Sequence, residues 1–339
     1  MQGKPAQYMP SEDCPHLRTL CSWPDQISQK DVEHLEGAER DVATICNAVV
    51  KFEPVTLLCK AKNMDRAKAL VSSKVHIQET NVDELWLRDT GPVYVKNPDG
   101  SSAAIDFNFN YWGDKYPGTG DSDVARAVLS HDGTKRVQAA LVAEGGAIEV
   151  DGEGTLIATE SSIVNDNRNP GASKEQLERH LKALLGVSKV IWVKGAKGLD
   201  ITDWHIDALA RFVSPGRILL SRPAAGSDAA LMEIFNDAKK VLANATDAKG
   251  RKLEIVELSE ADASLFPDAD PYETVLSYIN YLVVNGGVII PKFGDDKADE
   301  TALKLFRELF PGRKVEQILL TTLRKLGGGI HCATQQQPM

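Results

Sequence analysis

The stretch Pro92-Val-Tyr-Val-Lys-Asn-Pro-Asp-Gly-Ser-Ser-Ala-Ala-Ile-Asp-Phe107 has the composition of a β-hairpin. Apolar and aromatic residues flank the turn Asn97-Pro-Asp-Gly100, whose residue types favour a tight reversal of the chain. The same pattern of two apolar runs around a Gly-, Pro-, Asn- or Asp-containing turn recurs three times, at residues 147–159, 209–221 and 278–290. The sequence therefore predicts a fold built from a recurring hairpin unit.

A helical pattern follows the hairpin in most units, and a short strand follows the helix. The helix predicted over residues 173–185 places leucines at 177, 181, 184 and 185, with Ser173 as its N-cap. Other predicted helices cover 32–50, 229–242 and 299–310, and the strands that follow the four helices cover 189–193, 54–58, 253–258 and 314–320. The unit is ββαβ, repeated about five times, which indicates a solenoid, a propeller or an array. The alternative is an irregular α/β fold whose hairpins recur by chance.

Composition narrows the class of protein. The chain has 339 residues, of which 42% are hydrophobic, and a formal net charge of −9. An acidic protein is a poor partner for nucleic acid and favours small cationic ligands. The sequence contains no apolar run long enough to span a membrane and no secretion signal at its N-terminus. The five cysteines are an odd number without metal-site spacing, which fits a reducing compartment. We therefore expect a cytoplasmic protein that binds no metal, cofactor, nucleic acid or membrane.

Polar residues stand just before the hairpins. Asp89 precedes the first hairpin, Glu144 the second, His205 and Asp207 the third, and residues 274–280 precede the fourth. Each has an ordinary alternative, since an Arg-Asp pair is usually a structural salt bridge and a lone histidine is often a core group. If the units are related by rotation, however, equivalent positions meet around one axis. These four side chains are then expected to converge.

Cys332 follows the glycines 327–329 near the C-terminus and is a candidate nucleophile. A buried structural cysteine is the alternative. We expect Cys332 on the final strand, where it would join the converging carboxylates. His331 is its neighbour, but adjacent side chains on an extended strand point to opposite faces. His205 is therefore the expected partner of Cys332.

The chemistry of such a set is constrained by charge. Several carboxylates in a small cleft require a cationic partner, and a planar guanidinium is the cation that carboxylates match bidentately. With its two ends held by Asp89 and Asp207, the central carbon of a guanidinium would face Cys332. His205 would protonate the leaving amine and later activate water. These residues predict hydrolytic deimination through a covalent amidino-thioether, with release of ammonia.

At these residues the sequence resembles the agmatine deiminases of the guanidine-modifying (pentein) superfamily. The resemblance runs nearly end to end and rests on the segments 9–12, 86–92, 107–116, 144–146, 167–170, 205–207 and 327–338. It implies a single catalytic domain over residues 1–339, folded as a five-bladed α/β propeller of ββαβ units with pseudo-fivefold symmetry. The active site would lie on that axis, and family members are commonly homo-oligomers.

The resemblance also implies residue roles and a reaction. The reaction converts agmatine and water to N-carbamoylputrescine and ammonia, in polyamine synthesis. The roles that it implies are Cys332 as nucleophile, His205 as acid and base, Asp89 and Asp207 as guanidinium clamps, Glu144 as support for the histidine and Trp86 as a wall of the substrate channel. Further candidates for substrate binding are Trp112 and Gly329.

The sequence departs from the family pattern at three positions. Agmatine-specific members often carry two adjacent acids before the histidine, whereas here Asp200 is followed by Ile201. Trp204 stands where a small residue is usual, and Gly329 where asparagine is common. A missing carboxylate would weaken recognition of the distal ammonium of agmatine. Deimination of arginine or peptidyl-arginine is therefore a second hypothesis, and a catalytically silent propeller used for binding is a third.

Overall fold

A computed structural model describes residues 7–25, 32–116, 120–267 and 269–339 of the chain, and this part has a mixed α/β architecture with five sheets. The strands, in chain order, are β1 (His16–Ser22), β2 (Val55–Cys59), β3 (His76–Glu79), β4 (Val93–Lys96), β5 (Ser102–Asp106), β6 (Lys135–Gln138), β7 (Ile148–Val150), β8 (Thr155–Thr159), β9 (Lys189–Val193), β10 (Ala210–Ser214), β11 (Arg217–Arg222), β12 (Glu254–Ser259), β13 (Leu282–Val284), β14 (Gly287–Lys292), β15 (Lys314–Leu319) and β16 (Thr334–Pro338). The helices are α1 (Val32–Val49), α2 (Met64–Leu70), α3 (Leu87–Thr90), α4 (Tyr111–Asp114), α5 (Val124–Asp132), α6 (Glu160–Ile163), α7 (Lys174–Leu185), α8 (Ala229–Asn244) and α9 (Asp296–Leu309).

Four of the five sheets share one topology. Their strand orders are β4-β5-β6, β7-β8-β9, β10-β11-β12 and β13-β14-β15. In each sheet the first two strands pair antiparallel as a hairpin, and the second and third pair parallel. Helices α5, α7, α8 and α9 lie within the four parallel connections. The recurring ββαβ unit that the sequence predicts is confirmed.

The fifth sheet, β16-β1-β2-β3, combines the two ends of the chain. Strand β16 pairs antiparallel with β1, and β1 pairs parallel with β2 across the connection that contains α1. A fifth ββαβ unit is thus assembled from strands more than 300 residues apart in the sequence. Strand β3 extends this sheet at the free edge of β2.

Helix α7 shows how closely local sequence controls these elements. The Ser173 hydroxyl accepts a hydrogen bond from the Gln176 main-chain N–H, and the Gln176 side chain accepts one from the Ser173 N–H, which is a complete capping box. The buried face carries Leu177, Leu181 and Leu185 at helical spacing. The predicted N-cap and apolar face of this helix are confirmed.

Two predicted strands are wrong at their site-proximal ends. The strand expected from residue 278 begins only at Leu282, because Asn280 makes hydrogen bonds to a neighbouring loop instead of a ladder. Cys332 was expected on the final strand, but that strand begins at Thr334 and Cys332 lies in the preceding turn. Hydrogen bonds from the Ala333 and Thr334 N–H groups to the Gly329 and His331 carbonyls, at 3.2 and 3.1 Å, close this turn.

Within the described ranges, none of the helices combines the length and the apolar composition needed to cross a membrane.

Candidate active site

The candidate site residues lie at the entries to the hairpins, and the structure brings them together. The Nε2 atom of His205 is 3.2 Å from Glu144 Oε2, and its Nδ1 atom is 3.7 Å from Asp89 Oδ1. The Cys332 sulfur is 3.5 Å from Asp207 Oδ2. Asp89 lies in the single turn α3 before β4, while Glu144 and the His205–Asp207 pair lie at short 3₁₀ turns before β7 and β10.

Gly146 makes this convergence possible. A Cβ atom at this residue would lie 2.6 Å from His205 Nδ1, 2.9 Å from Asp89 Oδ1 and 3.2 Å from Asp207 Oδ2. A side chain would therefore displace all three groups at once. The Gly146 main-chain N–H also donates a 3.1 Å hydrogen bond to Asp89 Oδ1. The Glu-Gly-Gly motif thus supplies both a functional carboxylate and the space beside it.

Asp89 is fixed by two donors. The Trp112 indole N–H donates to Asp89 Oδ2 at 2.9 Å, and the Gly146 N–H occupies the other oxygen. Trp112 itself has a positive φ of 55°, an uncommon conformation for a bulky residue that here aims the indole at the carboxylate. Burial raises the pKa of Asp89, as does the nearby Glu144 charge, whereas His205 opposes the shift. Trp112, predicted to bind substrate, is placed as the donor that orients Asp89.

Asp207 has one oxygen beside the cysteine and a second oxygen that is buried and unpaired among the described residues. Its Oδ2 atom is 2.7 Å from His331 Nδ1, while its Oδ1 atom is buried without a hydrogen-bond partner among the described residues. Burial would raise the pKa of this carboxyl, but His331 holds it below the usual range. The result is an ionised carboxylate with one buried acceptor that no described donor satisfies.

His331 was set aside as a partner of Cys332, and the structure places its ring against Asp207 instead, so it belongs to the site in a different role. Its Nε2 atom is 2.6 Å from Glu12 Oε1, which completes a chain from Glu12 through His331 to Asp207. Burial opposes ionisation of Glu12, yet Arg211, His331 and Arg88 hold its pKa well below the ordinary value. Side chains were expected to alternate between the two faces of a strand here, but residues 331 and 332 lie in a turn. Glu12 was visible only as part of the segment 9–12.

His205 is held by a second buried chain. Arg168 donates from Nε to Glu144 Oε1 at 2.8 Å and from Nη1 to Asp203 Oδ2 at 2.6 Å. Burial by itself would lower the pKa of His205, but the Asp89 charge and the bonded Glu144 carboxylate raise it to about 9. Arg168 keeps the pKa of Glu144 low despite burial. Arg168 stood out in the sequence only within the segment 167–170, and no role was predicted for it.

Asn280 is the site residue that sequence reasoning missed most clearly. Its amide nitrogen donates to the Cys332 sulfur at 3.1 Å, and its Oδ1 atom accepts from the main-chain N–H groups of His331 and Cys332 at 3.0 and 3.3 Å. A Cβ at Gly329 would lie 2.6 Å from Asn280 Oδ1, so Gly329 gives this amide room. The sequence signal that could have identified Asn280 is its position before the fourth hairpin, which corresponds to the position of Asp89 before the first hairpin.

Electrostatics leave the cysteine protonated in the absence of a cation. Burial and the charges of Asp207 and Asp89 raise the pKa of the Cys332 thiol well above its ordinary value, and the Asn280 hydrogen bond only partly opposes them. Trp86 is buried and packs against Gly328, where a Cβ would lie 2.3 Å from the indole ring. Trp86 thereby supports the loop that carries the cysteine.

A cleft opens onto Cys332, His205 and Asp207. Its other acidic lining residues are Asp200 and Glu260, and one wall is apolar, with Ile234 and Phe235 of α8. Among the lining residues in the described part of the chain there is no lysine or arginine. The cleft can therefore hold a cation with an aliphatic chain and offers no basic partner for a carboxylate.

Comparisons with known proteins agree with this geometry. Residues 8–338 match the sequence profile of the Porphyromonas-type peptidyl-arginine deiminases. The agmatine deiminase of Stutzerimonas stutzeri is 36% identical over 98% of this chain and 95% of that protein. The structure of the agmatine deiminase of Enterococcus faecalis superposes with a TM-score of 0.88 at 28% identity, over 100% of this chain and 98% of that one. A C. jejuni agmatine deiminase with substrate bound, at 24% identity, shares the fold with a TM-score of 0.86, over 100% of this chain and 98% of that one.

Proposed function

Because this chain belongs to the family of Porphyromonas-type peptidyl-arginine deiminases, we propose that it is a hydrolase of linear amidines that converts agmatine and water to N-carbamoylputrescine and ammonia. Relatives that match it over nearly their whole length carry the name agmatine deiminase. The substrate would be a small guanidinium cation, and no residue role in the scheme below requires a cofactor.

The observation that carries the proposal is the unpaired buried Oδ1 atom of Asp207, in the same carboxylate whose other oxygen is 3.5 Å from the Cys332 sulfur. A buried ionised acceptor without a donor is costly, since such a group loses its hydration without compensation. A guanidinium N–H is the donor that fits a carboxylate in planar, directional geometry. A guanidinium bound there would place its carbon beside the nucleophile.

Substrate binding would also activate the thiol. The carboxylates that raise the Cys332 pKa are the groups that a bound guanidinium would neutralise. The cation therefore favours the thiolate, with the thiol proton released to solvent. His205, whose pKa is about 9, stays protonated at neutral pH as the acid for the leaving group.

The covalent steps follow from these protonation states. The Cys332 thiolate attacks the guanidinium carbon and forms a C–S bond. His205 gives its proton to one amino group, the C–N bond breaks, and ammonia leaves an amidino-thioether. Neutral His205 then takes a proton from water, and the resulting hydroxide attacks the same carbon. Cleavage of the C–S bond, with the hydroxyl proton released to solvent, gives the ureido product and restores the thiolate, while His205 keeps the proton that it took from water.

The cleft favours agmatine over arginine as the substrate. Free arginine and a C-terminal arginine each carry a carboxylate, and the lining residues of the described cleft include no lysine or arginine to pair with it. Agmatine carries a second cation instead, which suits the acidic lining. Deimination of peptidyl-arginine stays the second hypothesis.

We further infer that the five sheets are the blades of a single-domain propeller with pseudo-fivefold symmetry. Each ββαβ unit contributes to the site, which supports a common axis. The contributions, in unit order, are Asp89, Glu144, the His205–Asp207 pair, Asn280 and Cys332. A homo-oligomeric state and a cytoplasmic location stay predictions from the sequence.

An ammonia-release assay tests the proposal. Wild-type protein should release ammonia from agmatine, and more slowly, or not at all, from arginine and from a peptide ending in arginine. Cys332→Ser should abolish turnover while retaining the wild-type circular dichroism spectrum. Cys14→Ser, at a partly exposed cysteine outside the site, should keep full activity. Absence of ammonia from all three guanidines, or full activity of Cys332→Ser, would refute the proposed function.

A further inference from the structure

The cleft contains a carboxylate that the deimination scheme does not use. Glu260 follows directly after β12 and lines the same cleft as Cys332. Ser221 donates to Glu260 Oε1 at 2.8 Å, and Ser277 lies within hydrogen-bond distance of Ser221 Oγ and the Ala208 carbonyl, at 2.8 and 2.9 Å. This chain of polar atoms connects Glu260 to the residue next to Asp207. Glu260 is therefore fixed relative to the guanidinium site.

Glu260 lacks a cationic partner in the described part of the protein. No ion pair involves it there, and its Oε2 atom accepts no hydrogen bond from another described residue. Burial raises the pKa of this carboxyl, and the Ser221 hydroxyl only partly offsets the shift. A cation in the cleft would stabilise the ionised form, because opposite charge favours ionisation of a buried acid.

The acids of the loop before His205 are already engaged. Asp200 accepts from the Thr202 hydroxyl and, at 2.8 Å, from the Trp204 N–H, which holds the loop in its conformation. Asp203 pairs with Lys115 at 2.8 Å and with Arg168 at 2.6 Å. Ile201, which lies between these two acids, offers no charge. Among the described residues, this loop therefore has no unpaired carboxylate oxygen that could bind a second cation.

We propose that Glu260 binds the distal ammonium of the substrate, while Ile234 and Phe235 pack against the methylene chain. This inference rests on the proposed deimination of agmatine. It assigns the residue that recognises the end of the substrate opposite the guanidinium group. Both apolar side chains are buried in the wall of the cleft that also contains Glu260. The substrate class is an alkylguanidine with a terminal amine and no carboxylate.

Paired substrates test this assignment. Pentylguanidine has the head and chain of agmatine, with a methyl group in place of the ammonium. We expect the wild-type protein to prefer agmatine in kcat/KM. Glu260→Gln should reduce this preference by about 10-fold or more, the factor for losing one charge-assisted hydrogen bond. The loss should appear mainly in KM for agmatine, whereas kcat and all constants for pentylguanidine should stay near wild type.

The ratio of kcat/KM for agmatine to kcat/KM for pentylguanidine does not depend on the fraction of the variant that is folded. Partial misfolding of the variant therefore does not obscure the result. Glu260→Asp, which keeps the charge on a shorter side chain, should give an intermediate ratio. Glu257→Gln, on the strand β12 that Glu260 follows, removes a surface carboxylate that pairs with Lys239, and its ratio should match wild type. Turnover of agmatine with an unchanged ratio in Glu260→Gln would overturn this inference alone. Absence of turnover of both guanidines by wild type would overturn the proposed function with it.

Discussion

At the scale of single residues, the site is a balance of buried charges around one thiol. Burial and the charges of Asp207 and Asp89 disfavour the thiolate, whereas the Asn280 amide favours it. The pKa of His205 exceeds its ordinary value of 6.5, so its protonation stabilises the fold fully below that pH. This contribution is lost as the pH rises through about 9. The same proton is needed for departure of ammonia.

The pH dependence of turnover should therefore have a basic limb set by His205. We expect kcat for agmatine, which reports the substrate complex, to rise with pH as the thiol of that complex ionises and to fall above about pH 9, where the imidazolium loses its proton. Glu144→Gln removes one of the carboxylates that raise the His205 pKa, so its basic limb should move to lower pH. Steady-state rates between pH 6 and 10, about the range in which a perturbed histidine titrates, measure both profiles. A wild-type basic limb near pH 7 would contradict this assignment.

Asn280 should act on the cysteine through its amide nitrogen. In Asn280→Asp the oxygen acceptor for the His331 and Cys332 N–H groups is kept, but the donor to sulfur is lost. We expect a higher thiol pKa and a fall in kcat/KM of about 10-fold or more, since hydrogen bonds to charged groups contribute about 1.5–3 kcal/mol. The pH dependence of alkylation by iodoacetamide, followed at Cys332 by peptide mass spectrometry, reports the thiol pKa.

The matched control for Asn280→Asp is Asn97→Asp. Asn97 lies in the β4–β5 turn, at the opposite end of the hairpin from the site residues. Aspartate is a favourable residue in such a turn. This variant should keep the wild-type alkylation profile and rate. An unchanged profile in Asn280→Asp would show that its amide does not tune the thiol.

At the scale of elements, the strands and long helices form the scaffold and the short turns between them carry the chemistry. Helix α7 depends on its capping box, and Ser173→Ala removes the acceptor for the Gln176 N–H. We expect the free energy of unfolding to fall by about 1 kcal/mol, with kcat/KM unchanged, because the cap is on the scaffold. Ser130→Ala, at an exposed position within α5, serves as the control and should cost less. Chemical denaturation measures the free energy of unfolding of both variants. Equal losses in the two variants would argue against a stabilising role for the Ser173 cap.

At the scale of the whole molecule, strand β16 joins the C-terminal end of the chain to β1 near the N-terminus. The turn that contains Cys332 directly precedes this strand and is held in place by it. Removal of residues 334–339 deletes the pairing of β16 with β1 and the 2.8 Å bond from Arg88 to Gln336. The main-chain hydrogen bonds of this pairing contribute about 1 kcal/mol each, so their joint loss is large against a total stability of about 5–15 kcal/mol. We expect loss of both activity and a cooperative thermal transition in circular dichroism. Removal of the exposed Met339 alone should preserve both, and a truncated chain that melts like wild type would contradict the closure.

Much of the scaffold could be predicted from sequence because its signals are local. The capping residues at Ser173, the leucine spacing of α7 and the turn residues at 97–100 act within a few positions of themselves. The predicted strand over 189–193 matches β9 at both ends. Where a segment serves the site, local pattern fails, as at residues 278–281 and at Cys332. There a long-range contact between Asn280 and the 331–332 turn overrides the strand pattern.

The ββαβ repeat, the polar residues at the hairpin entries and the candidate nucleophile can all be identified from the amino-acid sequence, because periodicity and residue chemistry are properties of neighbouring positions. The contacts between these groups are visible only in the folded protein. The tertiary structure paired His331 with Asp207, placed Arg168 behind Glu144 and brought Asn280 to the cysteine. It also placed Glu260 in the cleft. Such contacts join different ββαβ units, and their identity depends on how those units meet, which no local pattern specifies.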